Sequence, residues 1–365
     1  MGETSLERQS NFELMRIFAM FLIIGCHFVC NIYPVQTQVF LNDVVIALYF
    51  PGGQVGVALF FILTGFFGES SVPKPRKIAK IVAELFFYAW LSLIIYALAK
   101  YFSFYDFPRL SRKELTECLV DAVIPYSSGT WWFLTAYIPL IIVKDKINIL
   151  LNKLNTHGFL ILLFALWFFW YSVANGYKGI LSYFAFEKAV FFYTMGFFVR
   201  KKIEPGNAFF LKKPVSLFLG LLFYLAASYF QILYTSSYAF PFPRIFLYAA
   251  QGAVCVPFSA LFLFLFFARL NVGNSRIINK IASTMLGAYI FHRSNIMINL
   301  FFMKIFCGTE LYAKSHFFLT LTVSILAVLS ICSAVDFARA KIVEPLVMRM
   351  FSAFAEKAKK TLSNQ

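Results

Sequence analysis

Apolar residues along this chain fall into ten long runs separated by short polar segments. Most of the runs approach the roughly 20 residues with which an α-helix crosses a bilayer. The pattern predicts an all-α membrane protein, a polytopic bundle of about ten transmembrane helices. The runs lie near residues 12–30, 47–68, 79–100, 129–143, 158–175, 183–199, 214–234, 244–268, 281–303 and 316–338. The fourth is short, so its helix is expected to extend past Lys144 or to begin before Trp131.

Composition supports this prediction and leaves no room for a large soluble domain. The chain is 60% hydrophobic and only 14% charged, with a mean hydropathy of +0.74. Its formal net charge of +16 comes largely from Lys and Arg between the apolar runs, so it indicates membrane topology rather than nucleic-acid binding. The basic connections alternate with connections poor in Lys and Arg, which predicts that both termini are cytoplasmic. The basic connections are 69–80, 144–157, 200–213 and 269–280.

Two segments are expected to lie on the membrane surface rather than to cross it. Residues 111–125 show helical apolar spacing after a Ser111–Glu114 pair typical of a capping box. Residues 339–365 form a basic amphipathic cytoplasmic tail suited to anionic lipids, following a transmembrane domain over 1–338. Membrane lipids are therefore expected partners. The six Cys are scattered without metal-ligand spacing, so no metal site is predicted.

Two ionisable residues stand out in the first apolar run. Arg16 and His27 are eleven residues apart, which places them within about 20° of one another around a helix and roughly 16 Å apart along it. Ionisable groups inside a membrane usually face the interior of a bundle, so the pair predicts a polar seam that lines a cavity. His27 suits general base catalysis, and Arg16 suits a phosphate or carboxylate. Arg16 could instead extend to the cytoplasmic headgroups.

Glycines and basic residues mark the next stretch of chain. The second run contains five glycines, which favour close helix packing or the passage of a narrow substrate. These are Gly52, Gly53, Gly56, Gly65 and Gly68. Beyond it, Lys77 and Lys80 share one helical face. They are either signals of topology alone or a phosphate cradle for a nucleotide-bearing cofactor.

Further candidate residues occur in three later runs. Trp131 and Trp132 are typical of the aromatic belt at the outer membrane surface, and equally suit stacking on a sugar ring. Tyr289 and His292 are three residues apart and share a helical face. Glu187 lies beside Lys188 within the sixth run, where the two charges could also simply offset each other.

Four of these stretches together resemble the acyltransferase-3 family of integral membrane acyltransferases. The four segments occur in the order and separation typical of the family, whose ten-span plan covers essentially the whole chain. The resemblance implies transfer of an acyl group, usually acetyl from acetyl-CoA, to a hydroxyl of an extracytoplasmic glycan. The segments are NFELMRIFAMFLIIGCH, GVALFFILTGFF, GTWWFLTAY and STMLGAYIFH.

The resemblance also implies roles for individual residues. His27 takes the position of the family's essential His, and Arg16 that of its basic partner. Lys77 and Lys80, with Arg76 adjacent, take the place of an Arg-x-x-Arg pair that members often have after the second span. Lys keeps the charge of Arg but loses its bidentate fork. The remaining candidates for binding the substrate or the oxyanion are Thr64 (where the family usually has Ser), Trp131, Trp132, Tyr137, Glu187, Tyr289 and His292.

The expected function is therefore a bacterial plasma-membrane O-acetyltransferase acting on a surface polysaccharide or its lipid-linked precursor. Acetyl-CoA would serve as a substrate, with no tightly bound cofactor, and the polysaccharide-assembly machinery is a candidate partner. His27 would act either as a general base or as a carrier of the acetyl group. Alternatives are a transporter or flippase of a lipid-linked glycan, and a member of the same family that uses succinyl-CoA or acts on peptidoglycan.

Overall fold

The computed structural model describes residues 9–32, 40–69, 75–102, 110–125, 129–176, 185–203, 211–235, 250–350 and 353. Helices make up nearly all of the described residues, and no strand occurs among them. This confirms the prediction of an all-α fold. We number the α-helices α1 to α15 in chain order.

The first eight helices are α1 (Ser10–Ile32), α2 (Phe40–Tyr49), α3 (Gly52–Phe66), α4 (Pro75–Tyr101), α5 (Arg112–Val123), α6 (Trp132–Asn152), α7 (Thr156–Gly176) and α8 (Ala185–Phe198). The other seven are α9 (Lys213–Thr235), α10 (Val256–Ala268), α11 (Arg276–Ala282), α12 (Met285–Arg293), α13 (Asn295–Ile298), α14 (Gly308–Tyr312) and α15 (Phe317–Ile342). Short π-helical turns adjoin three of them, at Val199–Ile203, Ala250–Cys255 and Asn299–Ile305.

Several helices are long and apolar enough to cross a membrane. Among the described residues, five spans meet this condition, and shorter apolar helices accompany them. The five are Ser10–Asn31, Phe40–Phe66, Pro75–Tyr101, Lys213–Thr235 and Phe317–Ile342. The protein is therefore a multi-pass membrane protein, as its hydropathy predicts.

Two predicted spans are interrupted, and a third is longer than its apolar run. The second breaks between α2 and α3 at Pro51, which has no backbone N–H to continue a helical ladder. The ninth is divided into shorter pieces, and at Ser294 the backbone turns extended while the side chain caps the next turn at the Met297 N–H. The fourth helix of the predicted bundle continues past Lys144 to Asn152, which was one of the two alternatives expected for it.

The surface helix expected over 111–125 is present as α5. The Ser111 hydroxyl accepts a hydrogen bond from the Glu114 N–H, and the Glu114 carboxylate accepts one from the Ser111 N–H. These bonds confirm the capping box, and they lower the pKa of the Glu114 carboxyl because they favour its charged form.

Close helix contacts explain two of the glycines in α3. A Cβ atom on Gly65 would collide with the backbone of Tyr193 in α8, and one on Gly56 would collide with the Ala19 carbonyl oxygen in α1. Small residues permit such approach between membrane helices. The packing reading of these glycines therefore has a direct structural basis, and α3 is held between α1 and α8 at the centre of the apolar core.

The tail predicted over 339–365 begins within a transmembrane helix. Arg339 lies in the last turn of α15 and is only 6% exposed. A further helical stretch covers 344–350, and the remainder of the predicted tail, apart from residue 353, lies outside the described residues.

Candidate active site

A cavity of about 510 Å³ lies between the helices of the bundle. Its volume falls within the range of small-molecule binding sites. Helices α1, α3, α4, α6, α12 and α15 contribute to its walls. Of the residues predicted from the sequence, it brings together Arg16, Thr64, Lys77, Lys80, Tyr137 and Tyr289.

The first helix lines the cavity along one stripe. Arg16, Met20 and Ile23 face the cavity, and their spacing of four and three residues follows one side of a helix. The next position on this stripe is His27. Arg16, at one end of the predicted polar seam of α1, therefore lines the cavity.

One end of the cavity, which we call the outer end, is formed by Arg16, Lys77 and Lys80 and is cationic. The exposed Lys77 lines it and forms no ion pair among the described residues. Lys80 pairs with Glu344 at 2.6 Å, and the Arg16 guanidinium makes two hydrogen bonds to the Glu13 carboxylate at 2.7 and 2.9 Å. Arg16 is still 37% exposed in its side chain, so it retains donors for a ligand. This end could bind phosphates.

The inner end of the cavity is aromatic and carries hydroxyl groups. Tyr137 stacks on Phe133, with ring centroids 5.5 Å apart. The buried Tyr289 hydroxyl makes no well-formed hydrogen bond within the described part of the chain, although the Phe133 backbone lies close to it. The Thr64 hydroxyl, by contrast, donates to the Phe60 carbonyl of its own helix at 2.8 Å. Tyr289 therefore has the hydroxyl better placed to donate to a bound ligand.

Two histidines pair just beyond the inner end. Nδ1 of His27 lies 2.9 Å from Nε2 of His292, which is fully buried. His27 is one helical turn beyond Ile23 on α1, and His292 is one turn beyond Tyr289 on α12. The cavity walls therefore end about 5 Å short of the two imidazoles along each helix.

A comparison with protein-family models identifies the chain. The model of an acyltransferase domain, Acyl_transf_3, matches residues 9–338. The chain belongs to the acyltransferase-3 family. It is accordingly a membrane acyltransferase, and its cavity with the adjacent histidine pair is the candidate active site. Neither the curated proteins nor the solved structures include a significant match to this chain.

Besides the two histidines, four predicted residues of this acyltransferase lie outside the cavity. Arg76 is exposed at the start of α4. Trp131 is 2% exposed, and its indole N–H donates to the Ile290 carbonyl at 2.9 Å, so it joins the N-terminus of α6 to α12 and offers no open face to a sugar. Trp132 is partly exposed and lies under the Lys188 ammonium, 5.7 Å from the ring centre. Glu187 has a buried carboxylate oxygen without a hydrogen-bond partner among the described residues.

A buried charged network in the wall of the cavity was not predicted from the sequence, and its members Glu84, Arg339 and Glu344 line the cavity. Arg339 pairs with Asp336 at 2.7 Å and with Glu84 at 3.3 Å, and it lies 3.5 Å from Glu344. The Tyr88 hydroxyl donates to Asp336 at 2.8 Å. Glu84 and Asp336 are carboxylates within two apolar runs, which is the signal that could have identified them.

The described residues include no group of three or more His, Cys, Asp or Glu side chains arranged to hold a metal ion. The side chains that carry the candidate chemistry are the cations for an anionic donor, the Tyr289 hydroxyl and the His27 imidazole.

Proposed function

We propose that this acyltransferase moves an acetyl group from acetyl-CoA to a hydroxyl of a surface polysaccharide, or of its lipid-linked precursor, in the plasma membrane of a bacterium. The observation that carries the proposal is the cavity itself. It begins among cations that suit a nucleotide phosphate and leads along α1 towards a pair of imidazoles that suit acyl transfer. Acetyl-CoA is a substrate in this scheme, not a tightly bound cofactor.

The donor would enter from the cytoplasm. Its phosphates would bind Lys77, Lys80 and Arg16 at the outer end, where they would compete with Glu344 for Lys80. The narrow pantetheine arm would pass between the α1 stripe and Tyr137. The thioester would then reach His27, roughly 16 Å along the helix from Arg16, without the nucleotide entering the membrane.

The reaction would join the acceptor oxygen to the acyl carbon as the carbon–sulfur bond breaks. In the direct route, His27 takes the proton of the acceptor hydroxyl and returns it to the CoA thiolate, which leaves as the thiol. In the covalent route, a nitrogen of His27 attacks the thioester first and the CoA thiolate leaves; the acceptor hydroxyl then displaces the acyl group from that nitrogen, and its proton converts the thiolate to the thiol. In both routes, the Tyr289 hydroxyl, which has no hydrogen-bond partner among the described residues, would donate to the developing oxyanion.

The acceptor would approach from the opposite side of the membrane. Trp132 keeps the partial exposure that a sugar-stacking residue needs, which the buried Trp131 lacks. An enzyme that acts on a growing or lipid-linked glycan would work beside the polysaccharide-assembly machinery, which we propose as its partner.

Two assays together test this proposal, one with purified protein and one with the cells that produce it. Protein in detergent or nanodiscs receives acetyl-CoA and extracted surface glycan, and thiol release is followed together with the mass of the glycan. We expect the purified protein to add acetyl groups to the glycan. We also expect the glycan from cells without the gene to lack these groups. A transporter or flippase would release no thiol. Transfer from succinyl-CoA alone, or onto peptidoglycan alone, would overturn the choice of donor or acceptor.

The two lysines at the outer end provide a prediction about donor binding. Replacing both Lys77 and Lys80 by Gln should raise KM for acetyl-CoA by roughly tenfold or more and change kcat much less, because each charge-assisted phosphate contact contributes about 1.5–3 kcal/mol. Steady-state kinetics over a range of acetyl-CoA concentrations measures the effects on KM and on kcat separately. Arg76→Gln removes a neighbouring charge outside the cavity and is the matched control. Equal KM values in the double variant and in the wild type would show that the lysines serve topology alone.

A further inference from the structure

The hydrogen bonds of the two paired histidines determine which nitrogen of each ring carries a proton. Nδ1 of His292 lies 2.6 Å from the Ala288 carbonyl oxygen. A carbonyl oxygen only accepts hydrogen bonds, so Nδ1 of His292 must hold a hydrogen. A neutral imidazole holds one hydrogen, which leaves Nε2 of His292 as an acceptor.

His292 is neutral in this arrangement because of its surroundings. The residue has no exposed surface and lies among apolar side chains of α12. Arg293 follows it directly in the sequence, and a second positive charge in the same place would be unfavourable. A buried imidazolium without a carboxylate partner would be costly, and no carboxylate is hydrogen-bonded to either ring in the described part of the chain.

Because Nε2 of His292 is an acceptor, it determines which nitrogen of His27 carries the hydrogen. The 2.9 Å contact is a hydrogen bond only if Nδ1 of His27 donates to it. Nε2 of His27 must therefore carry the unshared electron pair. Because both nitrogens of His292 are occupied by Ala288 and His27, the ring is not available to donate to a substrate oxyanion, which was one of the roles considered for it.

We propose that His292 is a positioning residue that holds His27 in its Nδ1-protonated form and so makes Nε2 of His27 the atom that takes the proton or the acyl group. The role of Nε2 in acyl transfer rests on the proposed function, whereas the protonation pattern rests on the hydrogen bonds alone. The Ala288 carbonyl anchors the chain of bonds on the backbone of α12. Together the bonds fix the rotation of the His27 ring as well as its tautomer.

Two substitutions separate this positioning role from simple packing. His292→Phe keeps a flat ring in the site but removes the acceptor. His292→Gln places an amide oxygen where Nε2 was and restores an acceptor for the His27 Nδ1–H. We expect His292→Phe to lower kcat roughly 100-fold, the scale of one positioned proton transfer, while KM for the donor stays within about twofold. We expect His292→Gln to recover most of the loss.

The deciding measurement does not depend on activity. Nitrogen NMR of protein labelled with ¹⁵N-histidine distinguishes a protonated ring nitrogen from an unprotonated one, and His27→Ala assigns the His27 signals. We expect protonated Nδ1 and unprotonated Nε2 for His27 in the wild type and in His292→Gln, and reversion to the Nε2-protonated form in His292→Phe. His157→Phe, at an exposed histidine remote in sequence, should leave the His27 signals unchanged.

Each result distinguishes the inference from the proposed function. An Nε2-protonated His27 in the wild type, or a tautomer that His292→Phe does not change, would overturn the inference. The expected tautomers together with no acyl transfer onto any glycan would support the histidine pair and refute the proposed function. If His292→Phe fails to fold, the wild-type spectrum and the spectrum of His292→Gln still decide the matter.

Discussion

Replacing His27 by Ala is expected to lower kcat/KM for acyl transfer by roughly 10²–10⁴-fold. The magnitude follows from the loss of a positioned general base, which is typically worth 10²–10⁴-fold. Thiol release from acetyl-CoA and the acetyl content of the glycan both measure the loss.

The control for this prediction must show that the protein still folds. His27→Gln retains an amide N–H that can donate to Nε2 of His292 but has no basic nitrogen, so it should match the wild type in thermal stability while being as inactive as His27→Ala. His157→Ala, at an exposed position on α7, should leave transfer unchanged. Wild-type transfer by a folded His27→Gln protein would remove His27 from the chemistry.

Much of the architecture could be predicted because it depends on short stretches of sequence. Apolar run length and loop charge predict an all-α polytopic bundle, and the Ser111–Glu114 spacing predicts the capping box at the start of α5. Arg16 and Lys80 could be assigned to one donor-binding region because the family resemblance gives both residues a role there, and both line the cavity.

The contacts between distant segments could not be predicted in the same way. His27 and His292 are 265 residues apart, and helical spacing says nothing about which helix faces which. The same limit applies to Trp131, whose sequence context fits a membrane interface equally well, but whose indole reaches a backbone carbonyl on α12 inside the core. A hydropathy window also does not detect the break at Ser294, because it averages the short polar stretch His292–Asn295 with the apolar residues on both sides.

The histidine pair is the candidate for the chemistry of the site, whereas the charged network connects the helices that form it. The network of Glu84, Asp336 and Arg339 joins α4 to α15 at the cavity wall, and Glu344 extends it from Arg339 to Lys80 at the outer end. A phosphate that binds Lys80 would therefore compete with Glu344, and Glu344 also contacts the buried Arg339. Donor binding and the packing of α15 are expected to influence one another through this connection.

Replacing Arg339 by Leu is expected to destabilise the protein by about 3–5 kcal/mol, the usual result of removing one partner from a buried ion pair. The substitution leaves Glu84 and Asp336 without their cation, and these residues are only 3% and 1% exposed. The midpoint of unfolding in detergent, followed by intrinsic tryptophan fluorescence, measures the effect. Lys341→Leu removes the same charge from an exposed position on α15 and should change the midpoint little.

A second substitution tests whether the loss comes from uncompensated charge rather than from poor packing of Leu. Glu84→Gln combined with Arg339→Leu removes one of the two stranded carboxylates, so the double variant should be more stable than Arg339→Leu alone, although Glu84→Gln by itself should destabilise the wild type. Additive losses would show that Arg339 acts through packing. The sign of this coupling therefore decides whether charge neutralisation holds α4 and α15 together at the donor end of the cavity.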